Sequence, residues 1–295
     1  MGVIIIQIRR PLLIILMFVV AISFIITNNT KNDEELNDKI ITIQGVVKGK
    51  IEKKRYNQYK VGVFLINDYT KNKNLKIGQK VNITGKFKSL DKMKYDDFDY
   101  GRYIKSTGYK GIVYINNYKI IDKNKLYSLI GEIKFYISKT YRYLYKKNSD
   151  FINSILLAEV ENLTEEQKEI FTRTGTSHVI SISGLHTGIL CVIISFLLRG
   201  INRLYKLLIL SIFITLYCIM VGASPSIIRS IAFVMIFYLS IFIDRKKDGI
   251  SALSLIGIIL IMNNPYVIYN VSFQLSFLAT LSILIFYNKI NSIIK

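Results

Sequence analysis

The chain has 295 residues, 51% of them hydrophobic, with 40 Lys and Arg against 20 Asp and Glu for a formal charge of +20. That hydrophobic share is high for a soluble protein carrying so many lysines, and the length allows two domains. The only two cysteines, Cys191 and Cys218, lie inside apolar runs, so the polar part has no disulfide framework or thiolate metal site.

In chain order, residues 1–27 carry the apolar runs from Val3 to Ile8 and from Pro11 to Ile26, enough to cross a bilayer. Basic residues ahead of an apolar core also fit a signal peptide, but the run is long and ends without a small-residue cleavage site. It reads as an uncleaved N-terminal transmembrane helix.

Residues 28–125 change character, with Lys, Asn, Tyr and Asp dominating. Strand-like segments fall at Ile41–Val47, Lys60–Ile66, Lys80–Phe87 and Gly111–Ile115, punctuated by Gly45, Gly78, Gly85 and Gly111. Several short strands in so few residues predict a small β-barrel of the oligonucleotide-binding (OB) type. Residues 28–150 hold 27 Lys and Arg against 13 Asp and Glu, which suits a polyanion but also fits general compositional bias. Tyr56, Tyr59, Phe64, Tyr69, Phe87 and Tyr95 lie among the lysines, as stacking residues of a single-strand groove or as ordinary core aromatics.

Residues 126–172 read as connecting helices. Leu126–Tyr145 is aromatic and basic, as in a helix lying on a membrane surface. Phe151–Phe171 reads as a further helix, with a capping-box pattern from Asn162 to Gln167 partway along.

Residues 173–295 read as a membrane domain of about five helices, with spans near Val179–Leu198, Leu204–Val221, Ser226–Ile243, Ile250–Met262 and Ser272–Tyr287. If the spans alternate, Arg9 and Arg10, then Arg199, Arg203 and Lys206, then Arg245, Lys246 and Lys247, then Lys289 and Lys295 share one side. The loops around Gly222–Pro225 and Asn263–Asn270 carry no Lys or Arg. The positive-inside rule then predicts a multi-pass cell-membrane protein, its N-terminus cytoplasmic and residues 28 to about 170 extracytoplasmic. The fold class expected is an α-helical polytopic membrane protein with an inserted small OB-like β-barrel.

The most distinctive text is FTRTGTSHVISISGLHTG at residues 171–188. It resembles the H-[LV]-[LI]-A-I-S-G-L-H signature of the ComEC competence family, departing in that core at Ser181, where the family has Ala. GASPSIIR at 222–229 resembles the family's Gly, small residue, Pro and intramembrane Arg element, FQLSF at 273–277 its FQLSF element, and FDYGRYIKSTG at 98–108 the close of its extracytoplasmic domain. The resemblance implies a membrane channel that passes one strand of transforming DNA into the cytoplasm during natural competence. Its implied partners are single-stranded DNA, the lipid bilayer, a DNA receptor and a cytoplasmic helicase-type motor, with a homo-oligomer open. Family members usually continue through further helices into a metallo-β-lactamase-like domain. No H-x-H-x-D-H run and only two histidines occur here, so nuclease activity is not carried over.

The candidate path-lining residues are His178, Ser183, Gly184, His186, Ser224, Arg229, Gln274 and Ser276. Ionisable residues inside spans are costly and face protein or water. Arg229 would meet phosphates or pair with backbone carbonyls, and Gln274 and Ser276 would line a path or bond between helices. His178 and His186 would lie within roughly 80° of each other on a helix. With no third ligand near them, no metal is expected; with no phosphate-binding loop, no nucleotide cofactor is expected either. A hydrolase using Ser183 with His186 and a ligand-binding membrane receptor are the alternatives. No catalytic activity is expected.

Overall fold

The computed structural model describes residues 10–29, 34–53, 55–72, 74–91, 93–95, 98–176, 184–222, 227, 228, 231, 232, 235 and 248–294. It is mostly helical, with one closed five-stranded barrel. Chain order runs α1 (Pro11–Asn29), β1 (Ile40–Glu52), β2 (Asn57–Val61), β3 (Phe64–Asp68), β4 (Gln79–Lys88), β5 (Lys94–Tyr95), β6 (Phe98–Asp99), α2 (Tyr100–Ser106) and β7 (Gly111–Lys123). Then follow α3 (Lys125–Tyr145), α4 (Ser149–Leu157), α5 (Glu165–Arg173), α6 (Gly184–Leu197), α7 (Arg203–Val221), α8 (Gly249–Asn263) and α9 (Val271–Ile294).

The barrel closes in the order β1-β2-β3-β7-β4, with β3 and β7 parallel and the other described pairings antiparallel. That order is consistent with an OB-type barrel. Its interior comes from alternate strand residues: Val47, Tyr59, Ile66, Val81, Ile83 and Val113 are fully buried. Gly85 belongs there because a Cβ would run into the Tyr114 carbonyl.

Two sequence expectations need correction. Lys60–Ile66 is not one strand but a hairpin, because Gly62 adopts φ +59° and turns β2 back as β3, pairing Val61 with Phe64. Phe151–Phe171 is not one helix either. Ala158 is left-handed at φ 59° and ends α4; Thr164 then starts α5 with a complete capping box, its hydroxyl accepting from Gln167 N at 3.2 Å and its N–H donating to Gln167 Oε1 at 3.0 Å.

Among the helices, α1 and residues Leu204–Val221 of α7 are long and apolar enough to cross a membrane, and each buries little of its surface against the protein. The stretches His186–Leu197, Gly249–Asn263 and Val271–Phe286 are apolar but shorter. The expected span Ser226–Ile243 lies almost wholly outside the described residues.

Helix α8 is sandwiched by α1 and α9. A Cβ on Gly257 would sit 3.0 Å from both Leu16 and Phe277. At one end of this group Arg10, just ahead of α1, pairs with Asp248, the N-cap of α8, at 3.4 Å. At the same end Gly249 lies against Leu284 of α9. The other end carries the barrel.

Candidate functional site

The barrel meets the helices through the segment FDYGRYIKSTG, and four of its polar residues, Asp99, Arg102, Lys105 and Ser106, have a physical task there. Asp99 caps α2, accepting from Arg102 N at 2.8 Å. Gly101 lies so close to the Leu90 carbonyl that any Cβ would collide. Ser106, buried, donates to the Tyr103 carbonyl at 2.6 Å and accepts from Asn270 Nδ2 at 3.2 Å. Asn264 Nδ2 donates to the Lys105 carbonyl at 2.8 Å. The guanidinium of Arg102 lies 5.0 Å from the Tyr269 ring centroid and Lys105 Nζ lies 5.1 Å from that of Tyr266. Lys105 is held by Asp91 at 2.5 Å.

The receiving surface is the short 3-10 turn Pro265–Tyr269 between α8 and α9. It also touches α1: Ser23 Oγ donates to the Pro265 carbonyl at 2.7 Å, and the Thr27 and Tyr269 hydroxyls lie 3.0 Å apart. Asn270 serves both sides, because its Oδ1 accepts from Phe273 N at 3.1 Å while its Nδ2 reaches Ser106. The motif FDYGRYIKSTG therefore meets, at one joint, the turn that leads into FQLSF far away in sequence. Asn264, Asn270 and Ser106 were not among the sequence candidates; the only local signal was an Asn ahead of each helical start.

A second feature sits on the barrel. The sequence grouped six aromatics as possible stacking residues, and the structure separates them. Tyr59 and Phe87 are core, Phe64 is half-buried and edge-on to Phe87 at 6.2 Å, and the side chain of Tyr95 lies outside the described set. Tyr56 and Tyr69 remain at the surface with centroids 4.8 Å apart, and Tyr69 continues to Tyr114 at 5.8 Å. Tyr114 is paired with Asn67 on one side and Lys86 on the other.

Lys53 Nζ donates to the Tyr56 hydroxyl at 3.0 Å and lies 5.1 Å from its ring centroid. Tyr69, at the centre of this ladder, is 56% exposed. Nearby Asp38 is held below the usual carboxylate range by the hydrogen bond from Lys86, against a smaller opposing effect of desolvation. Chemically, the face can stack planar rings and neutralise anions.

A third cluster joins the barrel to the connecting helices. Burial pulls Lys60 of β2 and Lys134 of α3 below the usual lysine range, opposed by Glu161 and Glu159. Glu159 also accepts from Ser138 at 3.0 Å and Asn162 at 3.1 Å.

Of the path-lining candidates, His178, Ser183, Ser224 and Arg229 lie outside the described residues. Gly184 opens α6, and His186 is half-buried two residues into it. Gly188 lies within α6, and a Cβ there would meet nothing within 4 Å. Gln274 is exposed at the start of α9, where its Nε2 donates to the Ile268 carbonyl at 2.7 Å; Ser276 is half-buried. Gln274 and Ser276 thus stand at the barrel-bearing end of the helices. Among the described residues no group of His, Cys, Asp and Glu is arranged to hold a metal ion.

Comparison with known proteins bears on the helical part. The chain is 26% identical over 165 residues to ComE operon protein 3 of Bacillus subtilis (strain 168), covering 55% of this chain and 21% of that protein. It is 31% identical over 125 residues to an uncharacterized protein of Aquifex aeolicus (strain VF5), covering 42% of this chain and 30% of that one. The chain thus spans less than a third of the length of either relative. An aspartyl tRNA synthetase from Entamoeba histolytica gives a TM-score of 0.23 at 12% identity, covering 58% of this chain and 38% of that one, too slight a likeness to bear on the fold. Residues 155–295 match the family described as Competence protein, and with the Bacillus relative this shows that the chain carries, in that part, a domain like that of competence proteins.

Proposed function

We propose that the chain is a component of a channel through which single-stranded transforming DNA crosses the cell membrane in natural competence. The observation that carries this reading is the match of residues 155–295 to the competence family, on helices whose one end seats a basic barrel bearing the Tyr56–Tyr69–Tyr114 ladder.

In this reading α1, α6, α7, α8, α9 and the segment Ser226–Ile243 cross the membrane. The end holding Arg10 and Asp248 is cytoplasmic, and the barrel stands outside. The charge pattern supports that orientation, since the basic clusters fall at the Arg10 end and the barrel-bearing turn has none. Long domains translocate largely regardless of charge, so a basic barrel outside does not conflict.

DNA strands meet the barrel first. Tyr69 stacks bases, Lys53 and Lys86 lie beside phosphates, and the strand passes toward Gln274 and Ser276 and then along His178, Ser183, His186, Ser224 and Arg229. No covalent step is assigned to the chain, and the driving force comes from a cytoplasmic helicase-type motor.

Two substitutions test this in cells lacking their own copy, at matched membrane abundance. Tyr69→Ala should weaken single-stranded DNA binding by about 1–3 kcal/mol, the worth of one stacked base. Arg229→Ala should lower entry of labelled DNA into a DNase-protected compartment while leaving that binding unchanged. Normal uptake in both variants would sink the reading.

A further inference from the structure

Helix α3 bridges the two parts of the molecule. Its N-terminal half rests on the barrel, where a Cβ on Gly78 would strike Ser128 and one on Gly131 would lie 3.0 Å from Ile77. It also packs against α4 and α7, and α4 in turn is tied to α7 by Tyr217, whose hydroxyl donates to the Leu156 carbonyl at 3.1 Å. Its buried residues, Ile130 and Ser138, face these contacts.

On the other side, Leu126, Leu129, Ile133, Tyr136, Tyr143 and Leu144 are all exposed. At ~100° per residue they fall within roughly a 100° arc, a continuous apolar and aromatic stripe along a 21-residue helix. Nothing among the described residues covers it. In water such a stripe would be a liability.

The surrounding charge says what covers it. Exposed Lys139 lies roughly 40° off one edge of the stripe with Arg142 farther round on the same side, Lys125 starts the helix, Lys146 and Lys147 follow it, and Glu132 is the helix's only acid. Tyrosines with basic neighbours suit the boundary between acyl chains and headgroups, where long cationic side chains reach toward phosphate. A second copy of this chain would bring the same basic rim against itself.

We infer that the stripe of α3 lies on an anionic phospholipid surface, in the leaflet reached by the C-terminal end of α7. The helix then acts as a float that sets the height of the barrel above the bilayer. This rests on the membrane reading of the proposed function. It adds to that reading a lipid-binding surface lying outside the spans.

The chain contains no tryptophan, so single substitutions give unambiguous reporters in the full protein. Tyr136→Trp on the stripe, Phe135→Trp on the same helix some 80° outside it, and Phe213→Trp on an exposed face of α7 would each be placed in vesicles of phosphatidylcholine and phosphatidylglycerol. The vesicles carry bromine either near the glycerol end of the acyl chains or near the bilayer midplane.

The expected result is that Tyr136→Trp is quenched most by the shallow bromine, Phe135→Trp less by either, and Phe213→Trp strongly by the deep one. Quenching of Phe213→Trp without any of Tyr136→Trp would overturn the float while leaving the spans standing. A stripe covered by a second copy or another protein would give that pattern. No quenching at either position would overturn the membrane reading and the float together.

Discussion

In the barrel, Val47, Ile66, Ile83 and Val113 are 0% exposed, whereas on α1 Met17, Phe18 and Ile25 stand 61%, 66% and 61% exposed. The barrel strands alternate, so half of each faces a dry interior and half faces water. The helix is apolar all round yet buries little of itself, a surface suited to lipid rather than water. In the membrane reading proposed above, one chain is built for two solvents, and the joint at Ser106 and Asn270 lies between them.

The sharpest way to break that contrast is a pair of substitutions with opposite expected readouts. Ile66→Ala should cost the barrel about 2–5 kcal/mol, seen as a lower melting temperature, without changing the amount of protein inserted in membranes. Phe18→Asp should make insertion of α1 less favourable by about 3–4 kcal/mol and lower the inserted fraction, with barrel melting unchanged. If either variant shifts the other's readout to the same degree, the two regions are not separate in the way described.

A smaller effect concerns the joint. Asn270→Ala leaves Phe273 N–H without its acceptor and removes the donor to Ser106, at a cost of about 1–3 kcal/mol. Trypsin should then cut faster at Lys105, which the joint holds over Tyr266. Unchanged cutting would mean the barrel is seated by other contacts.

The smallest effect is alkaline and belongs to the barrel side alone. Burial pushes Tyr109 up to about 12, so the folded protein keeps a proton that the unfolded chain loses near pH 10. Its contribution is whole below pH 10 and disappears as pH rises from 10 to 12. Tyr109→Phe should flatten that part of the stability curve by an amount on the order of 1 kcal/mol, after allowance for solvent screening. A curve as steep as the parent's would assign the loss to another group.

Local pattern accounts for much that was legible beforehand. Ile41–Val47 and Lys80–Phe87 alternate cleanly and do form barrel strands, and the Thr164 capping box opens a helix where the text put one. The errors arose where one residue's backbone overrides a favourable composition. Gly62 folds an apparent strand into a hairpin, and left-handed Ala158 divides an apparent helix. Exposure was harder still, since Tyr59 and Tyr69 look alike as text and only strand pairing makes one core and the other surface. The joint was illegible for another reason. Asn264 and Asn270 find their partners 159 and 164 residues away, beyond the reach of any local pattern.

That separation has a consequence for how the protein is made. At about 5–20 residues per second of synthesis, the turn that receives α2 emerges roughly 8–30 s after α2 itself. A barrel of this kind folds within milliseconds to seconds, so it must wait, complete and soluble, for a seat that does not yet exist. A closed sheet without free edges is the form of β-structure best suited to such a wait.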